Sequence, residues 1–207
     1  MSIEQQLHTQ FIVPVIRFHD AATVEAVVEA LFHGGFKLQE ITLMSPTLLP
    51  LIGKLRARLG VTLGAGTVLT EAQGQAALAE GAQFLVSPGF SAQVSALARK
   101  ANTLYVPGVM TPTEVTTALN AGHSFLKLFP TVPIGGLSYL QSLEGPFPDV
   151  RWMLSGGIKA SELSFYQRPS VLCVGLGQDL FPAQLVQSRQ WDAITALARS
   201  LRQGGRT

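Results

Sequence analysis

The chain has 207 residues, a length that suits one sizeable domain with a conventional hydrophobic core. Hydrophobic residues make up 47%, charged residues only 14%, and the net charge is +2 with no basic stripe, so nucleic-acid binding is not expected. A single cysteine excludes an internal disulfide, and with no apolar run of roughly 18 residues to span a membrane, the expectation is a soluble cytoplasmic protein.

The opening MSIEQQLHTQ is polar, without the charged and then apolar segments of an export signal, and reads as a short N-terminal helix. FIVPVIR (11–17) is the first strand-like run, followed by AATVEAVVEALFHGG (21–35), which has helical period and stops on glycine. Further strand-like runs are LQEITL (38–43) and GVTLGAG (60–66), then QFLVS (83–87) and TLYVPG (103–108). Helical stretches flank the last two: TEAQGQAALAEGA (70–82), SAQVSALARKA (91–101) and TPTEVTTALNAG (111–122). SFLKLF (124–129), VRWMLSGG (150–157) and VLCVG (171–175) complete eight runs; Cys173 in the last reads as a buried structural thiol. The closing RQGGRT (202–207) reads as a frayed tail.

Alternating strands and helices make a parallel sheet covered on both faces, and eight strands are the number that closes a barrel. The fold class expected is therefore α/β, a single (β/α)8 TIM barrel over 1–207 with a short N-terminal helix. An open doubly wound sheet is the competitor, but IRFHDAAT follows the first strand where a Gly-rich nucleotide loop belongs. Barrel chemistry collects at the C-terminal ends of the strands. In chain order these ends carry Arg17, Glu40 with Thr42, Gly66 with Thr67, Ser87 with Pro88, Pro107 with Gly108, Lys127, Gly156 with Gly157, and Gly175 with Gly177.

Lys127 sits in the apolar run FLKLF, where an ammonium is costly unless it is paired or gives up its proton. A neutral amine in such a place is a nucleophile toward ketones, and the product is a Schiff base that can drive aldol cleavage without a metal. Glu40 is the one carboxylate within the strand-like runs and the natural proton-transfer partner. From the residues alone, a structural Lys127–Glu40 ion pair is the less favoured reading and remains open. The glycine turns SGGIK and VGLGQ stand where barrel enzymes seat a phosphate on backbone N–H groups, although glycine turns are common. The four histidines show no ligand spacing, so no metal or cofactor is implied.

The ordered motifs EITL, GAGTVL, VSPG, VPGV, FLKLFP, SGGI and VLCVG, from about Phe11 to Ala198, resemble the bacterial 2-keto-3-deoxy-6-phosphogluconate / 4-hydroxy-2-oxoglutarate (KDPG/KHG) aldolase family. That resemblance implies a class I pyruvate aldolase on a (β/α)8 barrel, usually a homotrimer, acting on a small 2-oxo acid. It implies Lys127 as the Schiff-base lysine, Glu40 as general acid and base, and Thr67 as a ligand of the pyruvyl carboxylate. Arg17 matches a substrate-binding arginine of part of the family, Pro88 and Phe129 would shape the pyruvate pocket, and Gly156, Gly157, Gly175, Gly177 and Gln178 correspond to the phosphate site. Two departures bear on specificity: Met44 replaces the arginine of the phosphogluconate-type E-V-T-L-R pattern, nearer a galactonate-type E-I-P-L-N-S-P, and Gln178 replaces a phosphate-binding serine. The competing functions are a phosphate-sugar isomerase or epimerase, which needs no barrel lysine, and a barrel that binds a sugar acid without turnover.

Overall fold

A computed structural model describes residues 1–204. Helix α1 (Ile3–Gln10) starts at a capping box in which the Ser2 hydroxyl accepts from the Gln5 N–H and the Gln5 side chain accepts from the Ser2 N–H. Nine strand segments follow: β1 (Ile12–Ile16), β2 (Leu38–Thr42), β3 (Thr62–Gly66), β4 (Phe84–Val86), β5 (Leu104–Val106), β6 (Gly108–Val109), β7 (Phe125–Leu128), β8 (Arg151–Ser155) and β9 (Val171–Leu176). They pair in parallel in the order β5-β4-β3-β2-β1-β9-β8-β7-β6. The two ends of that order, β5 and β6, are one strand interrupted at Pro107, so the sheet closes into the expected (β/α)8 barrel. Proline has no N–H to give to a ladder, but the Pro107 carbonyl accepts from the Lys127 N–H at 2.8 Å and bonds the seam.

The helices between and after the strands are α2 (Ala21–His33), α3 (Leu49–Leu59), α4 (Glu71–Ala79), α5 (Ala92–Lys100), α6 (Pro112–Asn120), α7 (Gly136–Glu144), α8 (Ala183–Gln187) and α9 (Trp191–Gly204). Three of the expected helices begin one residue late because Thr70, Ser91 and Thr111 are N-caps whose hydroxyls accept from backbone N–H groups. α9 extends through Gly204 into the stretch read as a frayed tail; the remainder of that stretch, 205–207, lies outside the described residues.

Strand alternation divides the apolar side chains into two layers. Ile12, Ile16, Ile41, Ala65, Leu85, Leu126, Leu128, Leu154 and Val174 face outward into the shell beneath the helices. Val13, Leu38, Phe84, Val86, Val106, Phe125, Met153 and Cys173 fill the lower bore, and Leu7 of α1 joins them fully buried. The Gln10 side chain fixes α1 there, donating to the carbonyls of Ile12 (2.9 Å) and Leu38 (2.6 Å) and accepting from the Leu38 N–H (3.0 Å). The N-terminal mouth of the barrel is thus plugged by apolar side chains, and polar groups enter the bore above that plug.

Candidate active site

Above the apolar floor, Glu40 from β2 and Lys127 from β7 point into the bore from opposite parts of the barrel wall. Lys127 Nζ lies 3.9 Å from Glu40 Oε1, with side chains only 5% and 1% exposed. Their placement follows from period two: Phe125 below Lys127 and Leu38 below Glu40 belong to the bore, whereas Gln39 points outward and donates to the carbonyls of Val28 and Phe36. Room for the carboxylate comes from Gly66, where a Cβ would overlap Glu40 Oε1 and Cδ; this close approach requires glycine. Glu40 Oε2 has no hydrogen-bond partner, nor has the fully buried Thr42 Oγ1 at the end of the same strand. Lys127 Nζ also stands 5.3 Å from the Phe129 ring centroid, within cation–π range.

Because every strand is parallel, the strand C-termini form one rim, and a cleft of about 490 Å³ opens there. Arg17, Phe129, Gly156, Gly157, Gly175, Gly177 and Gln178, all expected from the sequence, line it together. Phe129 links this cleft to the buried Lys127 below. Gly156 (φ +102°) and Gly157 (φ +85°) turn the chain back after β8, and a Cβ at Gly156 would lie 2.9 Å from the Pro130 Cα. Thr67 and Pro88 occupy the rim ends of β3 and β4 but are not part of the cleft wall. Thr67 has φ +58°, a conformation that β-branched residues rarely adopt. Met44 packs its side chain against the outer hydrophobic shell, and Arg17 brings a guanidinium to the cleft.

Ser155, Lys159 and Asp179 also line the cleft and were not singled out from the sequence. Asp179 Oδ2 accepts from the Ala160 N–H at 2.5 Å, tying the turn after β9 to the short 3₁₀ helix after β8. Ser155 lies on the inward face of β8, where Gly175 of β9 is its register partner. The signal for Ser155 was its position two residues after Met153, a bore residue; an aspartate in a turn carries no comparable signal.

Elsewhere, Ser95 Oγ and His123 Nε2 are 2.7 Å apart beneath Tyr105, before β7 and so at the opposite end of the barrel from the rim. Burial, with a smaller contribution from Arg99, pushes the His123 imidazole below its usual range. Among the described residues no group of three or more His, Cys, Asp or Glu is placed to hold a metal, and no helix is long and apolar enough to cross a membrane.

Comparison with known proteins identifies the family. The family model described as KDPG and KHG aldolase matches residues 3–197. The 2-dehydro-3-deoxy-phosphogluconate aldolase of Treponema pallidum is 34% identical over 96% of this chain and 95% of its own. The KHG/KDPG aldolase of Escherichia coli K12 is 33% identical over 99% of this chain and 97% of its own. Among solved structures, the KDPG aldolase of Legionella pneumophila, captured with pyruvate as a covalent carbinolamine, has a TM-score of 0.89 and 30% identity over 97% of this chain and 98% of that one. With a matching family model over nearly its whole length and the lysine-carboxylate pair of the motif-bearing strands inside its barrel, the chain belongs to the KDPG and KHG aldolase family.

Proposed function

We propose that the protein is a class I pyruvate aldolase that cleaves a 2-keto-3-deoxy-6-phospho sugar acid of the KDPG type to pyruvate and glyceraldehyde 3-phosphate, and also takes 4-hydroxy-2-oxoglutarate to pyruvate and glyoxylate. The observation that carries this reading is the Lys127–Glu40 pair, 3.9 Å apart and almost fully buried beneath an open cleft. A buried pair of this kind adds little to stability, whereas a lysine held out of water suits attack on a ketone and the carboxylate beside it can exchange the protons that the attack and the dehydration require. The names of the relatives and the carbinolamine of the Legionella enzyme support the same chemistry.

In this mechanism Lys127 Nζ, as the free amine, adds to the C2 carbonyl of the substrate and gives a carbinolamine. Glu40 delivers a proton to the carbinolamine hydroxyl, the C–O bond breaks, and water leaves as the iminium forms. The Glu40 carboxylate then accepts the C4 hydroxyl proton, and the C3–C4 bonding electrons move to the iminium. The aldehyde departs, leaving an enamine that is protonated at C3 and hydrolysed to pyruvate and free Lys127. Arg17 and Lys159 offer positive charge to the distal end of the substrate in the cleft.

Incubation with pyruvate and sodium borohydride, followed by intact mass and peptide mapping, tests the reading. A reduced pyruvyl adduct on Lys127 is expected in the wild type and none in Lys127→Ala. Glu40→Gln should lower turnover by roughly 10²- to 10⁴-fold, the usual contribution of a general acid and base. A folded wild type that forms no adduct would return Lys127 to a structural role.

A further inference from the structure

Two loops wall the cleft where it is widest from the lysine. One is the turn after β8, with Gly156, Gly157 and Lys159; the other is the turn after β9, with Gly177, Gln178 and Asp179. Neither is part of a strand, so the sheet fixes only where each wall begins. The second wall is a tight turn in its own right: the Leu180 N–H donates to the Gly177 carbonyl at 2.9 Å, with Gln178 and Asp179 between them. The first runs into the 3₁₀ helix Ala160–Tyr166, and the Lys159 N–H at its start is taken by Glu162 Oε2 at 3.1 Å.

Among the described residues one hydrogen bond joins the two walls, from the Ala160 N–H to Asp179 Oδ2 at 2.5 Å. Because Asp179 lies inside the tight turn, the bond that holds its carboxylate also holds the backbone of Gly177 and Gln178. Within the described residues the N–H groups of Gly156, Gly157, Gly177 and Gln178 have no acceptor, and all four residues line the cleft. As a charge, Asp179 works against an anionic ligand there, opposing Arg17 and Lys159. As an acceptor, it sets the spacing between two pairs of backbone donors.

We propose that Asp179 is a positioning residue for the distal end of the substrate. Its bond to Ala160 holds the two glycine turns at the separation in which N–H groups of both meet the phosphate of a 2-keto-3-deoxy-6-phospho sugar acid. The inference rests on the class I aldolase reading and assigns the tie to one of its two substrates. 4-Hydroxy-2-oxoglutarate ends at its fifth carbon, short of C6, the ester oxygen and the phosphorus, and draws nothing from the tie. Pyruvate, attached to Lys127 beneath the cleft, lies farther still from it.

Three variants separate the tie from the charge and from a general structural role. In Asp179→Ala, KM for 2-keto-3-deoxy-6-phosphogluconate should rise about tenfold or more, as expected when a binding group is displaced. KM for 4-hydroxy-2-oxoglutarate should stay within about twofold, as should the half-saturating pyruvate concentration for methyl-proton exchange in D2O, followed by NMR. Asp179→Asn keeps an acceptor oxygen without the charge and should hold KM for the phosphorylated acid within about threefold of the wild type. Ala160→Pro removes the donor and leaves the carboxylate; Ala160 opens its helix and Lys159 before it is extended (φ −100°, ψ 152°), so proline fits. Its KM should rise as in Asp179→Ala. Melting temperatures report the folding of each variant, and should the alanine variant fail to fold, the proline and asparagine variants give the same comparison.

An unchanged or lowered KM for the phosphorylated acid in Asp179→Ala or Ala160→Pro would overturn the proposal. So would an equal rise for both substrates, an asparagine variant as impaired as the alanine one, or a wild type that cleaves only the shorter acid. If the wild type forms no borohydride adduct with pyruvate, the aldolase reading fails and this inference falls with it. An adduct in all four proteins with equal KM values removes only the role of Asp179.

Discussion

Thr67 directly follows Gly66, the glycine that makes room for Glu40, and its φ of +58° is a conformation that costs a β-branched residue about 1–3 kcal/mol. No hydrogen bond of its side chain offsets that cost, and the threonine stands at the rim beside the buried Glu40 carboxylate. Replacing it with glycine should relieve the backbone and, after the extra chain entropy of glycine, raise stability by about 1 kcal/mol. The same change should raise KM for the substrate if Thr67 holds the pyruvyl carboxylate; thermal melts and steady-state kinetics on Thr67→Gly read both effects. At this scale the legibility of the sequence depended on how unusual each residue was in its setting. Lys127 and Glu40 stand out because a charge within an apolar strand has few inexpensive explanations. Ser155 and Asp179 do not, since a serine at a strand end and an aspartate in a turn are the ordinary residues of such places.

Between elements, the loops that carry the site are held by local polar ties. Arg168 in the turn before β9 donates twice to Glu144 at the end of α7, at 3.0 and 2.6 Å, and the Ser170 hydroxyl donates to the same carboxylate. The Arg168 hydrogen bonds hold the Glu144 carboxyl below the usual range. A carboxylate lowered in the folded state stabilises the fold above its unfolded value of about 4.5, and that contribution is lost as pH falls through the lower folded value. Melting temperature should therefore drop below about pH 4.5 more steeply in the wild type than in Glu144→Gln, which should be less stable near neutrality by about 1–2 kcal/mol. A parallel pair of pH–melting curves would contradict this. The eight strands were legible because doubly buried parallel strands read as near-continuous apolar runs. α3 and α7 were less so: Pro50 and Gly53 interrupt the first, and Gly135 and Gly136 open the second with the backbone of a turn. The division of the fifth strand into β5 and β6 follows from Pro107, visible in the sequence, but that the two halves bond to opposite neighbours is a property of closure and appears only in the sheet order.

For the molecule as a whole, closure of the sheet determines which residues meet. Glu40 and Lys127 are 87 positions apart in the chain (127 − 40), yet the barrel sets them 3.9 Å from each other. Family resemblance made this pairing an expectation, whereas period and composition alone left it open. The distribution of the cleft's charges, Arg17 and Lys159 against Asp179, depends on the packing of three separate loops and was not readable from any one of them. Leu7 and the rest of α1 stop the lower end of the bore, which makes the site a blind alley with its entrance at the rim. Traffic in a blind alley is last in, first out. For the reaction proposed, the aldehyde fragment, lying toward the rim, departs while pyruvate is still attached to Lys127 beneath it. Pyruvate should then inhibit competitively against the substrate and glyceraldehyde 3-phosphate noncompetitively in initial-rate measurements; the reverse assignment would mean that the floor opens.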